Sequence, residues 1–179
     1  NGKFLNVLDL DIQNGKIKDF KFTLLPIFSD LIPENKEMKK YIEDVRLPYL
    51  KELTRPIATT EETLFRRGNF NGSWDQIICD ALIDVKGAQI SLSPGFRWGT
   101  SVMPNQTITF DDLMTQTAMT YPETYARDIK GSEIKLILED VADNLFNEDP
   151  FLQQGGDMVR TGGISYKIDP KAKIGERIT

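Results

Sequence analysis

The chain has 179 residues, of which 40% are hydrophobic and 27% are charged, and its formal net charge is −5. These values are typical of a globular protein and give no general attraction to nucleic acid or to an anionic membrane, and no apolar stretch approaches the roughly 20 residues of a membrane-spanning helix. Histidine is absent and Cys79 is the only cysteine, which excludes Ser-His and Cys-His nucleophile pairs, imidazole metal sites and an internal disulfide within the chain.

The first predicted element is a β-hairpin over residues 3–25. Two apolar-rich runs, KFLNVLDLDI and KIKDFKFTLL, flank Asn14-Gly15, a pair suited to the positive φ angles of a type I′ turn. A helix follows from about Asn35 to Leu53, and Pro48 is expected to kink it. We interpret this helix as a connector between the hairpin and a second folded unit. The alternative is a plain surface helix of a single domain.

Two further helices are predicted, in NGSWDQIICDALIDVKG and GSEIKLILEDVADNLF. The first begins with a capping box of Ser73 and Gln76 and stops at Gly87, and the second has Ser132 as its predicted N-cap. A shorter helix after TITF is capped by Thr109. The inner faces of the two main helices are predicted to be Trp74, Ile77, Ile78, Ala81, Leu82 and Val85, and Ile134, Leu136, Ile137, Val141 and Leu145.

Short strands are predicted between these helices in AQISL and TITF. After the last helix, MVRTGGISYKID is predicted to form a pair of short strands around Gly162-Gly163 or one strand with a bulge. The order of elements is strands, helix, strand, helix, strand, helix, strands. This order predicts an α+β, or mixed α/β, fold with a mixed sheet and flanking helices.

Three arginines lie near glycines: Arg67 in FRRGNFNG, Arg97 in PGFRWG and Arg160 in GGDMVRTGG. Glycine permits the close approach of a ligand, and the planar guanidinium matches paired oxygens of phosphate, sulfate or sulfonate. The pattern therefore indicates an anion pocket, with Arg97 as its best candidate. The alternative is that each arginine pairs with one of the many acidic residues.

Polar and aromatic side chains on the same loops would complete this pocket. Asp157 would orient Arg160, or simply stabilise a turn. For the aromatic side chains, core packing is the alternative. No residue of the chain is predicted to be catalytic, and no carboxylate pair has the spacing of a metal site. The predicted neutral donors and aromatic walls are Asn69, Asn71, Gln153, Gln154, Phe96, Trp98 and Tyr121.

Four blocks of the sequence resemble the SoxB branch of the 5′-nucleotidase family. They are GNFNGSWDQIICDAL, SLSPGFRWGTSVMPNQTITFDDLMTQTAMTYPETY, ILEDVADNLFNEDPFLQQGGDMVRTGGISYKIDP and IGERI. The resemblance implies that residues 1–33 hold the terminal hairpin of a metallophosphoesterase domain and that 34–55 form an interdomain connector helix. Residues 56–179 would be a 5′-nucleotidase C-terminal-like substrate domain, truncated at its end.

Two differences favour the SoxB branch over nucleotidases. Nucleotidases have an Asn-Gly-Gly-Gly-Ile-Arg block where this chain has SPGFR, ending at Arg97. They have a base-stacking Pro-Phe pair where this chain has Thr120, Tyr121 and Pro122. The positional match of Arg97 to the arginine of the nucleotidase block implies contact with the substrate anion, and Arg67 has a looser match.

The resemblance implies a periplasmic thiosulfohydrolase of the Sox sulfur-oxidation pathway. Its substrate would be the S-thiosulfonate on the cysteine of the SoxYZ carrier protein, from which it releases sulfate. Two manganese ions would be held by an amino-terminal domain of the full-length enzyme. We expect this segment to bind no metal and to be inactive alone. The alternatives are the substrate domain of a 5′-nucleotidase and a non-catalytic protein-binding module.

Overall fold

The computed structural model describes residues 2–95, 100–117 and 123–179. The chain forms two compact units, Asn1–Lys51 and Glu52–Thr179. The domain boundaries expected from the family resemblance stay a prediction.

The first unit begins with an antiparallel hairpin of β1 (Phe4–Gln13) and β2 (Lys16–Pro26). Asn14 and Gly15 connect the strands with φ angles of 52° and 73°. Only residues that tolerate the left-handed region suit such a turn. The hairpin and its turn, both predicted from the sequence, are therefore confirmed.

One face of this hairpin is apolar and open to solvent. The cross-strand pairs on it are Leu8–Phe22, Leu10–Phe20 and Ile12–Ile17, and these six side chains are between 44% and 65% exposed. We call these six residues the hairpin face. An apolar patch of this kind usually marks a surface that another part of a protein covers.

The predicted long helix is divided by Pro48, as expected for a residue that lacks the backbone donor. Helix α1 (Lys36–Arg46) starts where the Asn35 side chain accepts a hydrogen bond from the Met38 amide at 2.9 Å. A 3₁₀ turn (Leu47–Tyr49) and a short helix α2 (Leu50–Leu53) follow.

The second unit alternates strands and helices, which confirms the predicted α+β class. In the part of the chain that is described, all strands pair antiparallel in two-stranded ladders: β1 with β2, β3 (Pro56–Thr59) with β5 (Thr107–Thr109), and β4 (Ser91–Ser93) with β6 (Arg160–Gly162). The prediction of a mixed sheet is therefore wrong for the described strands, which form small antiparallel ladders instead. The strands of this unit have only three or four residues, so each ladder is short. The elements are β3 (Pro56–Thr59), α3 (Ser73–Lys86), β4 (Ser91–Ser93), β5 (Thr107–Thr109), α4 (Phe110–Thr117), α5 (Gly131–Phe146) and β6 (Arg160–Gly162).

Two apolar clusters form the core of this unit. The first lies around α5 and the second beneath the start of α3. Their buried members are Ile134, Leu138, Ala142, Met158 and Ile178 in the first, and Leu64, Trp74, Val102 and Ile108 in the second.

The start of α3 differs from the predicted capping box of Ser73 and Gln76. Gly72 is the cap, and its amide donates to the Asp75 carboxylate at 2.9 Å. The Ser73 hydroxyl instead binds the preceding loop, where it accepts from the Phe65 amide at 3.0 Å. The predicted stop is confirmed, since Gly87 ends the helix with a φ of 63°.

The start of α5 also differs from the prediction. Its cap is Lys130, not Ser132, and the Lys130 amide donates to the Glu133 carboxylate at 3.0 Å. For α4, the predicted cap is confirmed, because the Asp112 amide donates to the Thr109 hydroxyl at 3.3 Å.

The predicted inner faces are partly wrong. Ile77 and Leu136 are 46% and 69% exposed, and Val85 in the last turn of α3 is 76% exposed. Ile77 lies two positions from buried Asp75, and two positions correspond to about 200° around a helix. The buried face of α3 therefore includes the Asp75 carboxylate. A prediction that assigns only apolar residues to the inner face places that face incorrectly.

The C-terminal residues are fastened to α5 by a buried carboxylate. Glu139 accepts hydrogen bonds from the amides of Gly175 and Arg177 at 3.2 Å and of Ile178 at 2.7 Å. No helix within the described ranges is long and apolar enough to cross a membrane.

Candidate functional site

Four of the predicted site residues, Phe96, Arg97, Trp98 and Tyr121, lie outside the described residues. The roles assigned to them stay predictions. The remaining predicted residues lie in the loop before α3 and in the segment that leads into β6, and Arg160 is the first residue of β6.

A buried carboxylate lies at the centre of this region. Asp75 is fully buried, and its Oδ1 lies 2.7 Å from Nε of Arg66. Its Oδ2 lies 3.2 Å from Nε of Arg160 and accepts the Gly72 amide. One carboxylate thus serves two guanidinium groups and the first turn of α3. We call Arg66, Asp75, Asp157 and Arg160 the buried ion cluster.

Arg160 is held within the protein by several contacts. Its Nη2 donates to the carbonyls of Arg66 at 3.1 Å and Gly68 at 2.8 Å, and it lies 3.2 Å from Asp157. Asp157 therefore contacts Arg160, one of the two roles considered for it. Nη1 of Arg160 is buried and has no hydrogen-bond acceptor among the residues with described positions. A ligand role for Arg160 would depend on that single nitrogen.

The two asparagines link the same loops. The Asn71 side chain donates to the Thr161 carbonyl at 2.8 Å and accepts from the Thr161 amide at 3.2 Å. The Asn69 carbonyl accepts from the Met158 amide at 2.9 Å. Asn71 thus binds β6 through its side chain, whereas Asn69 binds Met158, which precedes β6, through its backbone carbonyl. Arg67 follows Arg66 in the chain and is exposed.

The buried ion cluster also reaches the loop after β4 and the C-terminal end of α4. Arg66 donates through Nη2 to the Pro94 carbonyl at 3.0 Å and through Nη1 to the Gln116 carbonyl at 2.6 Å. The Gln116 side chain donates to the Thr100 carbonyl at 2.9 Å. Pro94 and Thr100 flank the segment that carries Arg97.

Gly95 packs closely on the loop that leads into β6. A Cβ atom at this position would lie 2.6 Å from the Met158 carbonyl oxygen and 2.8 Å from Cβ of Asp157. Both distances are shorter than ordinary van der Waals contact, so no side chain fits without a shift of the backbone. The glycine next to Phe96 thus permits close packing of two loops.

Three residues that the sequence analysis did not single out organise this region: Arg66, Asp75 and Gln116. Arg66 and Arg67 are consecutive arginines, and the pattern does not distinguish the buried one. Asp75 is an acidic residue in the first turn of a helix, a common position that does not by itself indicate burial. Its location three residues after Gly72 was the available signal, because an acid there caps the first turn.

Cys79, the only cysteine of the sequence, lies in the interior of the second unit. Its side chain is fully buried on α3, and burial is the main cause that raises the pKa of its thiol. A thiol with a raised pKa carries little thiolate at neutral pH and is a poor nucleophile.

The sequence profile described as 5′-nucleotidase, C-terminal domain, matches residues 56–179, which is more than half of the chain. The chain belongs to the 5′-nucleotidase family. This confirms the family resemblance seen in the sequence blocks. Among curated protein sequences, no match was found.

Solved structures of this family resemble the chain over nearly its whole length. Sulfate thiohydrolase SoxB from Thermus thermophilus, in complex with glycerol, is 36% identical with a TM-score of 0.86, and the match covers 99% of this chain and 33% of that one. The similarity to SoxB predicted from the sequence is confirmed.

Two more distant structures share the fold. A 5′-nucleotidase precursor from Thermus thermophilus is 21% identical with a TM-score of 0.70, covering 99% of this chain and 35% of that one. A putative 5′-nucleotidase from Staphylococcus aureus in complex with alpha-ketoglutarate is 16% identical, with a TM-score of 0.59 and coverages of 99% and 37%. The chain therefore spans about a third of the length of the structures that it matches, and these 5′-nucleotidase family relatives are hydrolases by name.

Proposed function

We propose that this chain is the substrate-recognition part of a periplasmic thiosulfohydrolase of the Sox sulfur-oxidation pathway. The observation that carries the proposal is the 36% identity to SoxB across 99% of the chain. The proposed substrate is the S-thiosulfonate on the SoxYZ carrier cysteine. In its hydrolysis, water adds oxygen to the outer sulfur and the bond from that sulfur to its sulfur neighbour breaks. Sulfate and two protons leave, and the carrier keeps a persulfide.

Recognition of the anion is assigned to Arg97, assisted by Arg67. A guanidinium can donate two parallel hydrogen bonds to a sulfonate, which fixes the orientation of the anion as well as attracting it. The contacts at Pro94 and Thr100 support this assignment, because they hold both ends of the segment that contains Arg97. Phe96, Trp98 and Tyr121 are proposed to wall the same site.

The hydrolytic chemistry is assigned to another part of the full-length protein. The family resemblance implies two manganese ions, yet the sequence has no histidine. No group of three or more acidic or cysteine side chains in the described parts of the chain could hold a metal. The described residues of this chain therefore offer no set of side chains that fits a dimetal centre, and the proposed contribution of the chain is recognition and orientation of the substrate.

The hairpin face supports the assignment of residues 1–33 to a larger metallophosphoesterase domain. Six large apolar side chains lie open to water on that face. These side chains are about half exposed, so each would gain roughly half of the 1.5–3 kcal/mol that full burial of an exposed apolar side chain contributes, and a covering domain would supply that burial.

The test compares two substrates with the full-length protein. S-thiosulfonated SoxYZ should release sulfate, whereas AMP should release little phosphate.

Arg97→Ala should lower kcat/KM for the carrier substrate by about 30-fold or more, since the loss of a desolvated arginine partner costs on the order of 2–5 kcal/mol. Arg127→Ala, at an exposed arginine of the same unit, is the matched control. Equal kinetics of the Arg97 variant and the wild type would reject the assignment, and preferential hydrolysis of AMP would favour a nucleotidase.

A further inference from the structure

The segment between Pro94 and Thr100 is held at both ends by one hydrogen-bonded pair of residues. Arg66 donates to the Pro94 carbonyl at 3.0 Å and Gln116 donates to the Thr100 carbonyl at 2.9 Å. A third hydrogen bond, from Arg66 to the Gln116 carbonyl at 2.6 Å, joins these two contacts. We call Arg66 and Gln116 the loop clamp.

We propose that Arg66 and Gln116 are positioning residues that fix the two ends of the segment carrying Arg97. The role of Arg97 as the anion ligand comes from the proposed function, so the effect of the clamp on substrate binding depends on it. The clamp itself is defined by the described atoms of Arg66, Gln116, Pro94 and Thr100.

The chemistry of the clamp suits this role. Arg66 and Gln116 are only 5% and 2% exposed, so water competes little for their hydrogen bonds. Asp75 binds Nε of Arg66 at 2.7 Å, which keeps the other two nitrogens of the planar group directed at Pro94 and Gln116. A lysine at position 66 would keep the charge but could not reproduce three donors in this fixed geometry.

Small displacements at this point should affect binding strongly. A ligand-binding group must be placed within about 0.5 Å of its productive geometry, and a 1 Å misplacement can cost about 100-fold in rate. Gly95, the residue after Pro94, packs closely against Asp157 and Met158. This contact also restricts the position of the chain next to the loop clamp, so a small displacement there should affect binding.

The experiment uses full-length protein with Arg66→Lys and Gln116→Met. The methionine keeps the approximate side-chain volume and the backbone carbonyl that accepts from Arg66, and it removes the side-chain amide that donates to the Thr100 carbonyl. This second variant decides the proposal if Arg66→Lys does not fold. The control is Arg177→Lys, because Arg177 is also buried and binds Asp143 and the Ala172 carbonyl in the C-terminal region.

Two measurements are made on each variant: hydrogen exchange of backbone amides, and KM and kcat with S-thiosulfonated SoxYZ. Both clamp variants should speed exchange in residues 94–100 and raise KM by about ten-fold, with a smaller change in kcat. Arg177→Lys should speed exchange in residues 167–179 and leave KM unchanged. In an Arg97→Ala background, the clamp substitutions should add little to KM, because residues that act through one another are not additive.

Several outcomes would overturn the proposal. One is unchanged exchange in residues 94–100 in both clamp variants. Another is a KM effect that Arg177→Lys reproduces or that persists in full without Arg97. Failure of the wild type to hydrolyse the carrier substrate would instead reject the proposed function, and the exchange measurement would still decide whether the clamp holds the segment.

Discussion

Arg66 and Asp75 form a salt bridge of 2.7 Å in which the side chains are only 3% and 0% exposed. The other oxygen of Asp75 lies 3.2 Å from Arg160. One carboxylate therefore contacts two buried guanidinium groups that belong to distant parts of the chain, and Asp157 is the second carboxylate beside Arg160. Breaking such an arrangement by removing one member costs much more than the net value of the pair, because the remaining charges stay buried.

Asp75→Asn should therefore destabilise the protein severely. We expect the free energy of unfolding to fall by about 3–5 kcal/mol, measured by urea denaturation of the chain. Asp80→Asn is the control, since Asp80 is exposed on the same helix and should change the free energy by less than about 0.5 kcal/mol. Equal stability of the two variants would contradict the structural role of the buried ion cluster.

Gly95→Ala should destabilise the contact between two loops. The new methyl group would lie 2.6 Å from the Met158 carbonyl oxygen, so the backbone must move, and over-packing of this kind costs about 1–3 kcal/mol. Gly131→Ala is the control, because its Cβ would meet no atom within 4 Å at the start of α5, where alanine favours helix by up to about 1 kcal/mol. Thermal unfolding measures both. A Gly95 variant as stable as the Gly131 variant would show that the loops are not closely packed.

The parts of the fold that the sequence predicts correctly depend on neighbouring residues. The turn at Asn14 and Gly15 and the helix stop at Gly87 follow from the backbone freedom of a few positions, so a short window contains all the information. The start of α3 also depends on a short window, but Gly72 and Ser73 are adjacent candidates for the N-cap there. Gly72 is the N-cap and its amide donates to the Asp75 carboxylate, whereas the Ser73 hydroxyl accepts from the Phe65 amide.

The buried ion cluster could not be predicted in the same way. Arg66 contacts residues that are 9 and 50 positions away in the chain, and Arg160 contacts the Arg66 carbonyl 94 positions away. A charged residue is buried only when its partner is brought to it by the tertiary fold. A pattern of residue types along the chain therefore indicates a surface position for Asp75, although the structure buries it completely.

The contact between Arg177 and Asp143 should make stability depend on pH. The hydrogen bond from Arg177 is the main cause that lowers the pKa of Asp143. Because the pKa is lower in the folded state than in the unfolded state, this contribution is fully present above the unfolded value of about 4. It is lost as the pH falls through the folded value. The difference in unfolding free energy between wild type and Asp143→Asn should therefore shrink between pH 6 and pH 2 in urea titrations. A difference that stays constant over this range would show that Asp143 is not stabilised as an anion.

Glu139→Gln should loosen the C-terminal residues. The Glu139 carboxylate accepts three backbone amides, from Gly175, Arg177 and Ile178. Glutamine replaces one accepting oxygen with a donor that faces other donors. We expect the free energy of unfolding to fall by an amount on the order of 2–3 kcal/mol, since a buried donor left unpaired costs about 1–3 kcal/mol.

Limited digestion with trypsin, followed by mass spectrometry, should show faster cleavage of the Glu139 variant at Lys171 and Lys173. Asp140→Asn, at an exposed neighbour on α5, should be cleaved at the wild-type rate. Slow cleavage of both variants would mean that the C-terminal residues are held by their apolar contacts rather than by this carboxylate.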